Sequence, residues 1–286
     1  VGRQALGDNT TADNNTAVGY NALKLNTTGT NHVAVGAYAL DANTTGSSNT
    51  AVGIYALSAN TTGAENIAIG RQSLLNNTTA NDNISIGVNA MYENTTGKRN
   101  VAMGSGALGQ STTADQNTAV GYLASYSNTT GQYNSSVGSG SLYSNTTGDR
   151  NTSMGINALY TNSTASNNSA FGANALGSNT TGSENTAVGK DALTGCTTGA
   201  SNNAFGHTAL DAAVTGSYNN AFGQNALGAN TTGHRNTAIG QDSLQANTTG
   251  AQSTAVGNSA LAQNNANTNT AVGNNALNAN TSGADN

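Results

Sequence analysis

The sequence predicts an all-β fold, a parallel β-solenoid of about 17 coils spanning residues 1–286 as a single repeat array. Three observations carry that expectation. A glycine follows an apolar residue every 17 positions, at Gly2, Gly19, Gly36 and onward to Gly257, and after a one-residue slip again at Gly273. Each place in the repeat N-T-A-V-G-x-x-A-L-x-x-N-T-T-G-x-x keeps its own chemical character. The third observation is that the chain has no Pro, whose missing N–H would break hydrogen bonding between stacked coils.

Composition narrows the class. Charged residues are 7% of the chain, against about 25% in ordinary globular domains. Disordered chains pair low hydrophobicity with high net charge, whereas this one carries a net charge of −5 and sets its apolar residues on a strict period. A 17-residue repeat is too short for a two-helix repeat, and a Thr- and Asn-rich composition suits helices poorly.

The first element of each repeat is a strand over N-T-A-V-G, with Thr and Val on one side and Asn, Ala and Gly on the other. Place four is apolar in all 17 copies and holds every Phe, while place nine is Leu in 15 copies. These two places are read as the core: Val18, Leu23, Val35, Leu40, Val52, Leu57, Ile69, Leu74, Phe171, Phe205 and Phe222. The glycine after the strand opens a turn closed to other residues. A second extended stretch around A-L carries the Leu inward, and N-T-T-G closes the coil with turn-forming residues. Stacked at about 4.8 Å, such coils make a stack roughly 80 Å long.

Stacking places like residues over one another, so the asparagines at places one and twelve are read as amide ladders. Place one supplies Asn15, Asn49, Asn66, Asn83 and Asn100. Place three is Ala in 13 of 16 copies and Ser in the rest, with no charge. Such a small, uncharged face predicts close approach of another backbone, so Ala17, Ala51, Ala68, Ala119 and Ala187 are read as an interface between parallel copies of this chain. All charged residues and all ten tyrosines fall at variable places, which are read as solvent- or partner-facing. Tyr126, Tyr143 and Tyr160 share one place in neighbouring coils and are the candidate ligand-binding strip, for carbohydrate or protein.

The N-T-A-V-G-x-x-A-L motif, as in Asn15-Thr16-Ala17-Val18-Gly19 and Asn185-Thr186-Ala187-Val188-Gly189, resembles the head repeats of YadA-type trimeric autotransporter adhesins and the shafts of phage tail fibres. That resemblance implies a left-handed β-roll, assembled as a homotrimer on a cell surface or virion and contacting a host or environmental surface. Its unit is longer than the adhesin repeat around N-T-T-G. The function expected is therefore an extracellular or virion-borne adhesive fibre, a segment of a longer repetitive protein whose anchor and tip lie outside. A self-assembling structural filament without a receptor is the alternative. Ice binding is set aside, because place-two Thr shares the face of the Val read as core.

No catalytic or metal constellation is expected. His32, His207 and His234 occupy three different places, there is one cysteine, Cys196, and no nucleotide, hydrolase or metalloprotease motif occurs. No cofactor is expected. Eight scattered Lys and Arg make no basic stripe for nucleic acid, and no apolar run spans a membrane. N-T-T also fits the N-glycosylation pattern at Asn26, Asn43, Asn60 and Asn94, although ladder and turn bonding explains the same residues.

Overall fold

The computed structural model describes residues 1–212 and 214–286. It is an all-β parallel β-solenoid of about 15 turns, with no helix among the described residues. The array forms two compact units, Val1–Thr147 and Gly148–Asn286. In the first, β1 (Thr16–Val18) through β8 (Ser135–Val137) pair in chain order. In the second, β9 (Thr152–Met154) through β16 (Thr270–Val272) do the same. Every pairing is parallel and joins the same repeat places, so Ala17 stands beside Ala34 and Phe205 beside Phe222.

The strands are only three residues long, yet bonding between coils continues through the turns. In the Tyr20–Leu23 region Asn21 donates to Arg3 O (3.0 Å) in the preceding coil, and Leu23 donates to Ala39 O (2.9 Å) in the next. Further on, the N–H groups of Thr27 and Thr28 both donate to Thr44 O. Place-five glycine is dictated twice. Gly87 sits at φ +139°, and a Cβ there would lie 2.5 Å from the carbonyl oxygen of Gly104. Places seven, nine and seventeen are also left-handed, as at Asn21, Leu23 and Asn31. For a bulky Leu that conformation costs roughly 1–2 kcal/mol, and complete burial of the side chain offsets it.

The interior differs from the sequence expectation at the strand. Ala17, Ala51, Ala68, Ala119 and Ala187, read as a chain interface, point into the coil and are buried in it. Val18, Ile69, Phe171, Phe205 and Phe222, read as core, point outward and are 37–43% exposed. Val35 and Val52 lie on the same outer side, half-buried. Leu23, Leu40, Leu57 and Leu74 do fill the core, together with place-eight alanines such as Ala22 and Ala39. The physical reason is volume. The cross-section of a 17-residue coil already takes in Asn, Ala, Ala, Leu and Asn, which leaves no space for a second large side chain per coil.

Two pairs of serines in this interior are matched across coils. Ser73 donates to Ser85 Oγ (2.7 Å), and Ser125, standing where other coils have Leu, lies 2.8 Å from Ser136 Oγ. In these two places a polar substitution is answered by a serine in the next coil, whereas Ser243 donates to Gly240 O of its own coil (2.8 Å).

The asparagine columns are internal. Asn60 Nδ2 donates to Asn43 Oδ1 (3.0 Å) and to Gly63 O (2.9 Å), while its Oδ1 accepts from Asn77 Nδ2 (2.9 Å). Asn49 Nδ2 donates to the same Gly63 carbonyl at 2.8 Å, so amides from places one and twelve clamp one turn oxygen. Along place one, Asn49 Oδ1 accepts from the N–H and Nδ2 of Asn66, and Asn66 Oδ1 does so from Asn83. Asn100 continues the column by accepting from Asn117. Asn15, half-buried near the end of the column, accepts from the N–H of His32 (3.0 Å).

The glycosylation reading fails on this geometry. Asn26, Asn43, Asn60 and Asn94 are completely buried, and each Nδ2 donates to a neighbouring amide and to its own turn. A glycan on Nδ2 would have to displace the coil above. The Thr after each Asn has its own structural use, as when Thr44 Oγ1 donates to Thr61 O at 3.0 Å.

Candidate functional site

Since the strands turn their larger residues outward, the surface rather than the interior holds the candidate site. In the first unit, β2 (Val33–Val35), β4 (Ile67–Ile69), β5 (Ile84–Ile86) and β6 (Val101–Met103) expose aliphatic side chains at both outward places. In the second unit, β12 (Asn203–Phe205) and β13 (Asn220–Phe222) stack their phenylalanines at 4.8 Å with 7° between planes, beside an amide bond from Asn203 Nδ2 to Asn220 Oδ1 (2.9 Å). No outward strand position in either unit carries a charge. An uncharged face with one column apolar in every strand, and both columns apolar at β2 and β4 to β6, is unusual on a solvated sheet and marks an interaction surface.

A second feature lies at the turns. Tyr126 and Tyr143 stack at 5.5 Å and 14°, whereas Tyr160 belongs to the second unit. Beside Tyr126 in the first unit is a notch of about 590 Å³, lined in part by Gln72, Asn89, Tyr92, Glu93, Gln110 and Tyr126. It exists because one coil places Gly106 and Gly109 where other coils have larger side chains. Tyr126 leans over this coil: a Cβ on Gly109 would lie 2.8 Å from its Cε2. A smaller notch of about 290 Å³ in the second unit lies where Gly177 follows Tyr160 in the same place. A third aromatic group, Tyr20, Tyr38 and Tyr55, is closed on itself by edge and stacked contacts of 5.3 and 4.9 Å. Sequence reading found the tyrosines but not the notch, whose signal is a missing side chain between two aromatic coils.

The buried titratable groups are structural. His32 replaces a column asparagine: its Nδ1 accepts from the N–H of Asn49 (3.2 Å), which leaves the proton on Nε2 to donate to the Gly46 carbonyl. Burial, the largest effect, lowers its pKa below the ordinary histidine value. Cys196 stands where most coils have Asn, with Sγ 3.5 Å from Gly199 O, and burial pushes its thiol up to about 12. It is therefore a poor nucleophile. Among the described residues there is no group of three His, Cys, Asp or Glu able to hold a metal, and no helix long and apolar enough to cross a membrane. Fold and surface together define a repeat solenoid with two outward features, an apolar strand face and a tyrosine-bordered notch. Comparison with protein-family models and with characterised proteins found no match for this chain.

Proposed function

We propose that the chain is a segment of a multimeric fibre, a trimer by the resemblance of its repeat, that is displayed outside a cell or on a virion and contacts surfaces. The observation that carries this reading is the outward strand face: a large apolar residue at the last position of every strand, exposed or half-buried, with no charge on that face. The partner best matched to a face repeating at the coil rise is another copy of the same chain, in parallel and in register. The association expected at the alanine positions is thereby moved to the opposite side of the strand. Burying the face would remove from water side chains such as Ile67, Ile69, Ile84 and Ile86, at about 25 cal/mol per Å² of apolar surface.

Sedimentation of the whole chain tests the reading. The wild type is expected to sediment as an oligomer, and Ile69→Glu with Ile86→Glu to sediment as a folded monomer with an unchanged circular dichroism spectrum. A monomeric wild type at micromolar concentration would overturn the proposal.

A further inference from the structure

The geometry points to a binding site for a neutral pyranose, part of an oligosaccharide, in the notch between Tyr92 and Tyr126. The inference stands apart from self-association, since neither the notch nor its test requires more than one chain.

Tyr92 and Tyr126 occupy the same repeat place two coils apart, and the coil between them has Gly109 there. Two coil rises amount to about 9.6 Å. Tyr126 leans into that interval over Gly109, so a ligand ring would pack on Tyr92 and against the leaning ring of Tyr126. Both tyrosines are half-buried, so their rings stand against the coil rather than sweeping free. Gly106 extends the absence of side chains to an adjoining turn place, and the resulting volume of about 590 Å³ falls within the range of small-ligand sites.

The rim decides the chemistry. Gln72, Asn89, Glu93, Ser105 and Gln110 line the same notch and offer amide, hydroxyl and carboxylate groups to a ligand edge. Asn89 Oδ1 is buried without a hydrogen-bond partner. In other coils the amide nitrogens at this place, Asn174 Nδ2 and Asn225 Nδ2, donate to Asp191 and Asp242 of the following coil at 2.9 Å, a side-chain acceptor that Gly106 cannot offer Asn89 Nδ2. A ligand with apolar faces and a hydroxyl-bearing edge matches these walls and supplies donors to Asn89 and Glu93. Glu93 is the one charged residue in the lining, which selects against anionic sugars. The smaller notch beside Tyr160 has a tyrosine on one side only, with Thr194 across Gly177, and serves as an internal control.

Titration calorimetry of the full chain with cellopentaose, maltopentaose and chitopentaose, alongside polygalacturonate, tests the assignment. At least one neutral oligosaccharide is expected to bind saturably and polygalacturonate is not. Gly109→Tyr, which gives that coil the residue its neighbours carry, should weaken binding at least tenfold while leaving the melting temperature unchanged or higher. Gly109 is not in the left-handed region, and the ring of Tyr126, which a Cβ there would meet at 2.8 Å, has to swing back toward Tyr143 to admit the new side chain. Tyr92→Ala should weaken binding similarly, and Tyr160→Ala should leave it unchanged. Absence of binding by all three neutral oligosaccharides overturns the proposal, as does tighter binding of polygalacturonate or unaltered binding by Gly109→Tyr.

Discussion

Ala119 and Val120 are neighbours on β7 (Thr118–Val120), yet they belong to surfaces governed by different rules. The side holding Ala119 is completely buried, and nearly every coil repeats it with the same small residue. Val120 faces outward, where its column varies among Val, Ile, Met and Phe and shares the surface with Thr, Ser, Asn, Ile and Val. The inner surface admits one volume and one pattern of hydrogen bonds, whereas the outer surface admits any uncharged residue that suits a strand. Constancy in this repeat marks the inside even where the constant residue is small.

The sharpest way to break that contrast is to place one charge on each side of the strand. Ala119→Arg puts an unpaired cation into a filled interior and is expected to cost above about 4 kcal/mol, enough to unfold the surrounding coils. Val120→Arg is expected to change stability by less than about 1 kcal/mol, its effect confined to association. Urea unfolding followed by circular dichroism separates them. Equal loss of stability in both variants would show that the two faces are not distinct in energy.

This contrast also explains what could be read from the residues beforehand. The period, the strand at N-T-A-V-G, the glycine turn and the Leu core follow from spacing and backbone chemistry, and the structure contains them. The inward face was missed because large apolar side chains are ordinarily the buried ones. The corrective signal lay in the same strand: Asn66 and Ala68 share a side, and a ladder amide gains most where water is excluded. Joining the Asn columns to the Ala column identifies the interior without reference to size. The notch was harder to see, because it consists of what Gly106 and Gly109 lack.

The slip near Gln263 shows how far an exposed side chain can stand in for backbone. In other coils one threonine carbonyl receives the two preceding turn N–H groups, as Thr44 O does from Thr27 and Thr28. Where a residue is missing, Asn265 Oδ1 takes that position and accepts from the N–H groups of Thr248 (3.0 Å), Thr249 (2.9 Å) and Gly250 (3.3 Å). The Asn column has no such compensation at its interruptions. Asn94 Oδ1 is unpaired where the next coil has Ser111, and Asn179 Oδ1 where it has Cys196. Ser111→Asn should therefore stabilise the chain by about 1 kcal/mol, and Asn60→Ala, in an intact stretch, should cost about 1–3 kcal/mol. Urea midpoints of the two variants test the ladder directly; shifts in the same direction would refute it.

The smallest effect expected on the inner side is conditional on pH. Neutral His32 fits its column because Nδ1 accepts from the Asn49 N–H, and protonation would set one donor against another. Its folded pKa lies below the ordinary histidine value of 6.5, so the unfolded chain binds the proton more readily as pH drops through 6.5. The stability from the neutral ring is thus fully present above pH 6.5 and declines below it, by at most about 1.4 kcal/mol per pH unit, until the folded pKa is reached. His32→Asn restores the regular column residue and should flatten this dependence. Comparing urea midpoints at pH 7.5 and 5.0 for the wild type and this variant isolates the histidine, because other titrating groups contribute equally to both. If the two proteins lose the same stability on acidification, His32 is not held neutral by its place in the ladder.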